Sequence, residues 1–407
     1  MPFEILKQPR STHINRKVIF VINHIDWFWS HRYSLAKAVQ DEGFDVYVAC
    51  ANATNDTALK QEGFKPLDLP SLNGNKNPTQ ILKLLSQIRS YVVELKPDIV
   101  HAITIKYAFL TGLALIGKNN HHNIFTIAGL GYLFSDNNFK AAIIRTFLTP
   151  VFRLAFGQKR TSFIFQNEND MKTFLDRSFS EQINSTLIKG SGVNTHKFFY
   201  SQEPLGKEPV VFMPTRLVKE KGIHIFAEAA KIVHEKRYEA KFVLAGGLDE
   251  TNPSALTLKD LEEFFQEGHV IWRGKIVDMP RMYKRANIVV YPSYYKEGVP
   301  KVLLEAAASG RAIITTDHPG CRDVVEHERS GLLVPVKDAH KTALAIMDLL
   351  DNDVKRYKMG RYAREKACAE FDVHLINENT IEIYDKVLRE LSSPDQLHQD
   401  AIQLSSS

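Results

Sequence analysis

Two short segments in the second half of the chain place charged side chains where buried strands are predicted to end. The first, TRLVKEKG, carries Arg216 and Lys221 directly after the apolar run PVVFMP. The second, EGVPKVLLE, follows NIVVYPS and carries Glu297 and Glu305, eight positions apart. Two cations at the end of a strand suit a diphosphate, because arginine binds it bidentately and lysine adds a mobile point charge. A solvated basic loop is the alternative for the first segment.

The second segment also predicts a helix N-terminus. Proline is favoured at the first helical position, so Pro300 marks the start of a helix whose first amides are free. Free amides at a helix start favour an anion. We therefore expect a phosphate over Gly298, Val299, Pro300 and Lys301, with ribose hydroxyls near Glu305. The alternative is two surface glutamates, one capping the helix and one in a salt bridge.

The elements that must position these residues alternate between short apolar strands and longer amphipathic helices, which is typical of parallel α/β sheets. The alternation occurs twice, and each series predicts one doubly wound domain. Ligands of such sheets bind beyond the carboxyl ends of the strands. We therefore expect two Rossmann-like domains that face each other across a cleft, with the active site in the cleft. The predicted strands are Lys17–Asn23, Asp45–Cys50, Asp98–Ile103, Asn123–Ala128 and Ser162–Asn167, then Pro209–Pro214, Lys241–Gly247, His269–Gly274, Asn287–Ser293, Ala312–Thr316 and Gly331–Pro335.

The polar, Pro- and Gly-containing segment SQEPLGKEP (Ser201–Pro209) predicts the seam between the domains. We assign residues 15–203 to an N-terminal Rossmann-like domain and 204–372 to a C-terminal Rossmann-like domain. Residues 373–391 are predicted to form a helix that packs back on the N-terminal domain. The polar ends, 1–14 and 392–407, are predicted to be disordered tails.

Composition excludes several classes of protein. The 407 residues hold 44% apolar and 24% charged residues and three cysteines, which fits a globular protein in a reducing compartment and not a disulfide scaffold. No apolar run reaches the length of a membrane span. Residues 1–200 carry 23 Lys and Arg against 15 Asp and Glu, a net charge of +8, whereas the remainder carries 29 against 32. The basic half is expected to meet something anionic.

Taken together, TRLVKEKG and EGVPKVLLE resemble the retaining GT-B glycosyltransferases of family 4. The resemblance extends over nearly the whole chain through the segments SGVNTHKF and RGKIVDMPRMY. Two further segments, GLGYLF and AGGLDETNPSAL, resemble bacterial enzymes that add an N-acetylhexosamine to an undecaprenyl-diphosphate-linked sugar.

The resemblance implies a role for each matching residue. Arg216 and Lys221 would bind the donor diphosphate and stabilise its developing charge, and Glu297 would contact the donor sugar. Glu305 would hold the ribose. The remaining donor contacts would be backbone approaches to sugar, phosphate and base, at Gly298, Val299, Pro300, Lys301, Gly274 and Ile276.

The N-terminal half departs from the family pattern at two points. Many members carry a histidine after the fourth strand, where this chain has Ala128, and NHIDWFWSHR replaces the usual glycine pair after the first strand. No residue is therefore assigned as the catalytic base, and the leaving phosphate is expected to accept the proton of the acceptor hydroxyl. The candidates on the acceptor side are His31 and Arg32 at the start of the first helix, His101 at the end of the third strand, and Gly129 and Gly131. Helix capping for His31 and Arg32, and a core position for His101, remain alternatives.

Three other features of the sequence allow a structural as well as a functional interpretation. Asp351, Asn352 and Asp353 match the metal-binding D-x-D pattern, but they follow a helical pattern and predict a helix end. His121 and His122 lie in a polar segment that offers no partner cluster for a metal. No metal and no cofactor is expected. The acid-free stretch Asn137–Arg160 is basic and apolar, which fits either a core helix or an amphipathic helix on an anionic membrane.

The resemblance thus implies a retaining glycosyltransferase that moves a sugar, an N-acetylhexosamine, from a UDP-sugar to a polyprenyl-diphosphate-linked saccharide in bacterial surface-glycan assembly. It also implies that the N-terminal domain, 15–203, binds the acceptor and that the C-terminal domain, 204–372, binds the nucleotide-sugar donor. We expect it to be cytoplasmic and peripheral on the inner membrane. One alternative is a UDP-sugar epimerase of the same architecture. The other is a nucleic-acid-binding protein, but no recognisable nucleic-acid-binding motif is present, so nucleic acid is not an expected partner.

Overall fold

The structure is a computed structural model that describes residues 15–72, 77–130, 149–176, 184–204, 206, 208–248, 252, 254–294 and 298–391. It divides into two compact units, one formed by Met1–Ile188 with Asn377–Ser407 and the other by Lys189–Ile376. The predicted tails, 1–14 and 392–407, lie outside the described residues.

The first unit contains a seven-stranded sheet in the order β3-β2-β1-β4-β5-β6-β7, and every adjacent pair runs parallel. The central strands are almost fully buried because apolar residues fill both faces. Residues 149–156 are also helical. The strands are β1 (Lys17–His24), β2 (Asp45–Ala51), β3 (Lys65–Asp68), β4 (Ile99–Ile103), β5 (His122–Ile127), β6 (Thr161–Phe165) and β7 (Asn184–Leu187). The helices are α1 (Ile25–His31), α2 (Tyr33–Asp41), α3 (Thr57–Gln61), α4 (Pro78–Leu95), α5 (Ile105–Ala114) and α6 (Glu168–Leu175).

The second unit contains a six-stranded parallel sheet in the order β10-β9-β8-β11-β12-β13. Its strands are β8 (Val210–Pro214), β9 (Lys241–Ala245), β10 (Val270–Trp272), β11 (Ile288–Tyr291), β12 (Ala312–Thr316) and β13 (Gly331–Val334). Its helices are α7 (Ile223–Glu235), α8 (Leu258–Phe265), α9 (Met279–Arg285), α10 (Lys301–Ala308), α11 (Pro319–Val324), α12 (Ala339–Asp351) and α13 (Asp353–Glu370), followed by α14 (Val373–Leu391). Helix α14 begins in this unit, and its residues from Asn377 onward belong to the first.

The strand order reverses at one point in each sheet. Strand β1 lies between β2 and β4, and strand β8 lies between β9 and β11. The chain therefore leaves opposite sides of the sheet after β1 and β4, and again after β8 and β11. Such a switch point opens a crevice at the carboxyl ends of the two strands, which is where ligands of doubly wound sheets bind.

The division between the units lies earlier in the chain than the predicted seam, which was placed at 203/204. Ser201 and Glu203, which precede the predicted seam, are bonded to side chains of the second unit. The fully buried guanidinium of Arg311 hydrogen-bonds the carbonyl and the hydroxyl of Ser201. Arg356 forms an ion pair of 2.6 Å with Glu203. A polar composition thus marked this segment as a linker, but its polar groups are ligands for buried arginines.

Candidate active site

The loop after β8 buries one of its two predicted cations. The side chain of Lys221 is 3% exposed, and its Nζ donates to the hydroxyl of Tyr291 over 2.7 Å. Arg216, earlier in the same loop, is exposed. The free-energy cost of burying a lysine is large unless its ammonium group is hydrogen-bonded. The hydrogen bond to Tyr291 therefore fixes the position of this charge. The ammonium therefore lies at the end of β11, the strand next to β8.

Glycine is required directly after this lysine. Gly222 has a φ of +77°, and a Cβ there would lie 2.3 Å from the carbonyl oxygen of Pro292. Residues Lys219–Lys221 form one 3₁₀ turn, and α7 starts immediately after Gly222. The turn can approach the backbone that follows β11 this closely only because position 222 has no side chain.

The loop after β11 is hydrogen-bonded to the same turn. The backbone N–H of Tyr294 donates to the carbonyl oxygen of Glu220 over 3.0 Å, and the hydroxyl of Tyr294 donates to the carbonyl oxygen of Lys219 over 3.0 Å. The structure thus places the turn that carries Lys221 against the start of the loop that follows β11, at the switch point of the second sheet. Glu297 lies outside the described residues.

Helix α10 begins at this loop. Gly298, Val299 and Pro300 are buried, and Lys301 is half-buried as the first helical residue. Pro300 is the N-cap rather than the expected first helical residue, and its side chain makes no capping hydrogen bond. The N–H groups of Leu303 and Leu304 donate to the carbonyl oxygen of Pro300, and no side chain caps this helix start. A helix start without a side-chain cap favours an anion.

Glu305 is the fifth residue of α10 and is buried, with 9% of its surface exposed. The hydroxyl of Tyr283 on α9 lies 3.1 Å from Oε2 of Glu305. Burial raises the pKa of Glu305, while the charge of Lys301 and the hydrogen bond from Tyr283 oppose that increase. Among the described residues no donor contacts Oε1, so this oxygen can accept hydrogen bonds from a ligand. The alternative of a solvated surface glutamate is wrong, because the side chain is buried.

The residues predicted to contact the nucleotide base lie where β8, β9 and β10 end. The N–H of Gly246 donates to the carbonyl oxygen of Gly274 over 2.8 Å, and Gly274 has a φ of +65°. A Cβ at Gly246 would lie 1.9 Å from the carbonyl oxygen of Thr215, so the ends of β8 and β9 touch backbone to backbone. Ile276 is half-buried against the apolar core. These contacts leave the main chain of the β10–α9 segment beside the loop that carries Arg216 and Lys221.

Sequence reasoning missed the two tyrosines that hold the functional groups. Tyr291 positions Lys221, and Tyr283 positions Glu305. Both lie inside segments that were quoted, NIVVYPS and RGKIVDMPRMY, and both are buried. A tyrosine in a buried strand or helix face must place its hydroxyl on a polar partner, which was the available signal.

The acceptor-side candidates belong to the first unit, and the structure corrects one placement. His31 does not begin a helix: it ends α1, and Arg32 lies between α1 and α2 as the N-cap of α2. The ring of His31 stacks on Trp27 at a centroid distance of 5.0 Å. Arg32 is buried. Gly129 follows β5 with a φ of +135°, and Gly131 lies outside the described residues.

His101 lies in the interior of the first unit, as its core alternative expected. Its Nδ1 is 2.6 Å from the hydroxyl of Tyr384 on α14, and its Nε2 is 2.7 Å from Oγ1 of Thr126 on β5. Burial and the nearby charge of Arg32 hold the pKa of His101 well below its usual value. The imidazole is therefore neutral and bonded at both nitrogens.

The two metal-like patterns are structural. Asp351 ends α12, and its carboxylate accepts a hydrogen bond of 2.6 Å from Tyr238, while Asn352 caps α13 through the N–H of Lys355. His121 and His122 are buried, and His122 begins β5 instead of lying in a polar loop. In the described ranges no group of three or more His, Cys, Asp or Glu residues could hold a metal ion.

Part of the basic apolar stretch can be placed. Residues 137–148 lie outside the described residues, but Phe152 and Phe156 are buried in the helix at 149–156. Leu154, on the other face of this helix, is 55% exposed beside the exposed Arg153. None of the helices that the structure describes has the length and apolar character needed to cross a membrane.

Comparison with protein families and with known proteins identifies the class. The model described as "Glycosyl transferases group 1" matches residues 195–366, and the model described as "Glycosyl transferase 4-like" matches residues 17–167. Each model thus covers most of one sheet.

Curated relatives agree with these matches. An N,N'-diacetylbacillosaminyl-diphospho-undecaprenol α-1,3-N-acetylgalactosaminyltransferase of Campylobacter jejuni is 28% identical over 370 residues, which cover 88% of this chain and 95% of that protein. The capsular polysaccharide biosynthesis glycosyltransferase CapM of Staphylococcus aureus is 29% identical over 175 residues, which cover 43% of this chain and 45% of that protein.

Solved structures show the same fold. Sucrose-phosphate synthase from Thermosynechococcus elongatus superposes with a TM-score of 0.75 at 21% identity, over 92% of this chain and 100% of that chain. HepE from Anabaena, solved with UDP and glucose, superposes with a TM-score of 0.72 at 17% identity, over 91% of this chain and 100% of that chain.

The fold and the two matched domains are those of a GT-B glycosyltransferase. One glycosyltransferase model matches each half of the chain, and the relative matched over most of the chain is a glycosyltransferase, so the protein is a glycosyltransferase. These matches favour the transferase over the epimerase and over the nucleic-acid-binding protein.

Proposed function

We propose that the protein transfers an N-acetylhexosamine from a UDP-sugar to a saccharide carried on a polyprenyl diphosphate, with retention of the anomeric configuration. The Campylobacter relative, matched over 95% of its length, is named for an N-acetylgalactosamine transfer to such an acceptor. The segments GLGYLF and AGGLDETNPSAL support the same acceptor class.

The observation that carries the donor assignment is the buried ammonium of Lys221 at the switch point of the second sheet. This ammonium and Arg216 would neutralise the diphosphate, and the uncapped start of α10 at Gly298–Lys301 would bind its β-phosphate. Glu305 would accept hydrogen bonds from the ribose hydroxyls through Oε1. Glu297 would contact the donor sugar, and the main chain at Gly274 and Ile276 would contact the base.

Transfer needs no covalent intermediate on the protein. The bond between C1 of the donor sugar and the diphosphate oxygen breaks, and the acceptor hydroxyl forms the new bond to C1 on the same face. The acceptor proton passes to the departing diphosphate oxygen. Ala128 stands where many relatives of this type carry a histidine, which supports a reaction that uses the leaving group as its base. Arg216 and Lys221 stabilise the charge that develops on that group.

A metal ion is not required in this scheme. The cationic side chains and the start of α10 supply the positive potential that a divalent ion gives in other transferases. The D-x-D pattern, which would hold such an ion, is used instead to end α12 and cap α13.

We further propose that the enzyme works on the cytoplasmic face of the inner membrane as a peripheral protein. The net charge of +8 on residues 1–200 and the exposed pair Arg153 and Leu154 support this placement. Each basic side chain near an anionic surface contributes about 1 kcal/mol to binding. Lys159 is a further exposed basic residue of this stretch.

A donor and acceptor screen tests the proposal. UDP release is measured for several UDP-sugars, with and without polyprenyl-diphosphate-linked mono- and disaccharides, and the anomeric configuration of the product is determined by NMR. We expect acceptor-dependent release with a UDP-N-acetylhexosamine and an axial product linkage from an axial donor. Conversion of one UDP-sugar to its epimer without UDP release would overturn the proposal.

A further inference from the structure

The switch point of the first sheet has features of a ligand site that no donor residue explains. After β1 the chain passes through the short helix α1 and then begins α2 at Tyr33. Because α2 returns from the carboxyl edge of the sheet, its N-terminus lies at the edge where ligands of such sheets bind. Its N-cap residue, Arg32, makes no side-chain capping bond. The start of α2 therefore offers free amides at this edge.

The side chain of Arg32 is buried without a counter-charge. It is 5% exposed, and neither Nε nor Nη2 has a hydrogen-bond partner. Within the described ranges the guanidinium forms no ion pair, and the centroid of the Trp27 ring lies 5.4 Å from its Cζ. Burial lowers the pKa of Arg32 to about 10, so the group stays charged at physiological pH. An unpaired buried charge of this kind is strongly unfavourable to folding.

The ionisable groups that sense this charge are neutral. The pKa of His101 is well below its usual value and that of Tyr384 is well above it, mainly because both are buried. They hydrogen-bond each other, and His101 also contacts Thr126. The acidic residue of the neighbouring α1 is Asp26, which is exposed and lies 3.4 Å from Nδ1 of His24. Arg32 therefore faces uncharged partners inside the unit.

A second buried arginine, Arg311, has a structural role and can be compared with Arg32. Arg311 is fully buried, and burial lowers its pKa to about 10 as well. Its guanidinium donates to the carbonyl oxygens of Ser309 and Ala286, at 3.1 Å from Nε and Nη1, and to Ser201. The same burial is thus compensated by hydrogen bonds at Arg311 and left uncompensated at Arg32.

The other loop of the switch point is strained. Thr104, directly after β4, has a φ of +76° and a ψ of 148°. This region is almost restricted to glycine, and a β-branched residue there is a marked outlier. Its N–H still donates to the carbonyl oxygen of Thr126 over 2.9 Å, which holds the loop in place. Both loops that border the crevice therefore carry an unfavourable feature, which is typical of a functional site.

We infer that Arg32 and the amide N-terminus of α2 form an anion site, and that its ligand is the diphosphate of the lipid-linked acceptor. Guanidinium groups bind phosphate oxygens bidentately, and a helix N-terminus adds further N–H donors. Helix α14 holds this start in place, because Nδ2 of Asn377 donates to the carbonyl oxygen and the hydroxyl of Ser34, at 3.1 and 3.0 Å. The ligand supplies the counter-charge that the protein omits. The identity of this ligand rests on the proposed function, whereas the anion site itself does not.

A thermal experiment tests the anion site without the transfer reaction. The midpoint of unfolding is measured for wild type, Arg32→Met, Arg32→Lys and the matched control Arg311→Met. Saturating UDP is present throughout so that the donor site is filled, and inorganic pyrophosphate is then added. We expect Arg32→Met to unfold at the wild-type temperature or above, and Arg311→Met to unfold several degrees lower. Pyrophosphate should stabilise the wild type and Arg311→Met, stabilise Arg32→Lys less, and leave Arg32→Met unchanged.

A kinetic experiment identifies the ligand. For Arg32→Met the KM for the polyprenyl-diphosphate acceptor should rise about 10- to 150-fold, the range that one hydrogen bond to a charged group corresponds to. The KM for the UDP-sugar should stay at the wild-type value. An unchanged acceptor KM with pyrophosphate stabilisation intact in Arg32→Met would overturn the inference and leave the proposed function standing. Loss of stability in Arg32→Met comparable with that of Arg311→Met would likewise overturn it, because Arg32 would then be structural. If no lipid-linked acceptor is used at all, the proposed function fails, and the pyrophosphate response still decides the anion site.

Discussion

The hydroxyl of Tyr283 on α9 lies 3.1 Å from Oε2 of Glu305 on α10, and both side chains are buried in the second unit. One oxygen of the carboxylate is thus engaged by the protein, while the other is open to a ligand. The same hydroxyl is 3.0 Å from the carbonyl oxygen of Val302, so α9 sets the rotation of the first turn of α10. A single tyrosine therefore links the proposed ribose contact to the proposed phosphate contact.

This relationship predicts a pH effect. Burial raises the pKa of Glu305 and the Tyr283 hydrogen bond lowers it, so Tyr283→Phe raises it further. The ionised carboxylate binds ribose hydroxyls as an acceptor, and activity is lost as the pH falls through this pKa. We expect the acid limb of the profile of kcat/KM for the UDP-sugar to move to higher pH in Tyr283→Phe. An unshifted acid limb would mean that Glu305 does not titrate in donor binding.

The second prediction concerns metal ions. Transfer should continue in EDTA, because Arg216, Lys221 and the start of α10 carry the positive potential. Replacement of Asp351, Asn352 and Asp353 by alanine should leave kcat unchanged. The triple variant should lose about 1 kcal/mol of stability with the α13 cap. Loss of activity on chelation, with recovery in Mg²⁺ or Mn²⁺, would contradict this prediction.

The third prediction concerns acid stability. Burial lowers the pKa of His121 to about 4 and that of His122 to about 3. Between pH 6.5 and these values the unfolded chain binds protons that the folded chain does not, so stability falls as the pH falls. Going from pH 7 to pH 5, each histidine should reduce the free energy of unfolding by roughly 2 kcal/mol. Urea unfolding at both pH values measures this.

A matched variant separates these histidines from other acid effects. His122→Gln removes one of the two titrating groups, so its stability should fall less between pH 7 and pH 5 than that of the wild type. An equal fall in wild type and variant would show that His122 is protonated in the folded state as readily as in the unfolded state.

The fourth prediction concerns the membrane. Charge reversal at Arg153 and Lys159 should release the protein from anionic vesicles, and the wild-type interaction should weaken as the Debye length shortens to about 8 Å at physiological salt. Reversal of two exposed lysines of the second unit, Lys236 and Lys284, is the control and should leave vesicle binding intact. Sedimentation with vesicles measures binding. Transfer to a short soluble acceptor should be unaffected, and equal losses with soluble and embedded acceptors would contradict the membrane role.

The fold could be predicted well from periodicity, and the strands that were missed have a common cause. Strands β3 (KPLD) and β7 (NSTL) are the two edges of the first sheet, and both are short and partly exposed. Edge strands need few apolar residues, so their sequence carries little of the signal that identified the central strands.

The site residues could be predicted as residue types, but their burial could not. The pair Arg216 and Lys221 and the spacing of Glu297 and Glu305 predicted a donor site. The tyrosine partners of Lys221 and Glu305 come from β11 and α9, which only the folded sheet brings near. Arg32 shows the same limit. The aromatic segment IDWFWSH forms a helix of its own, α1, so Arg32 is the N-cap of the second helix and does not begin the first.

The most direct test of the donor site is the initial rate of transfer of a labelled sugar from a UDP-N-acetylhexosamine to a polyprenyl-diphosphate-linked saccharide. The rate is measured for wild type, Lys221→Ala, Glu305→Gln and Lys219→Ala. Lys219 lies on the same turn as Lys221 but is exposed, which makes it the matched control. Loss of one charge-assisted contact in a closed site corresponds to about 30- to 1000-fold in rate. We predict losses of this size in Lys221→Ala and Glu305→Gln, and a wild-type rate in Lys219→Ala. Near wild-type transfer by folded Lys221→Ala or Glu305→Gln would contradict the donor site.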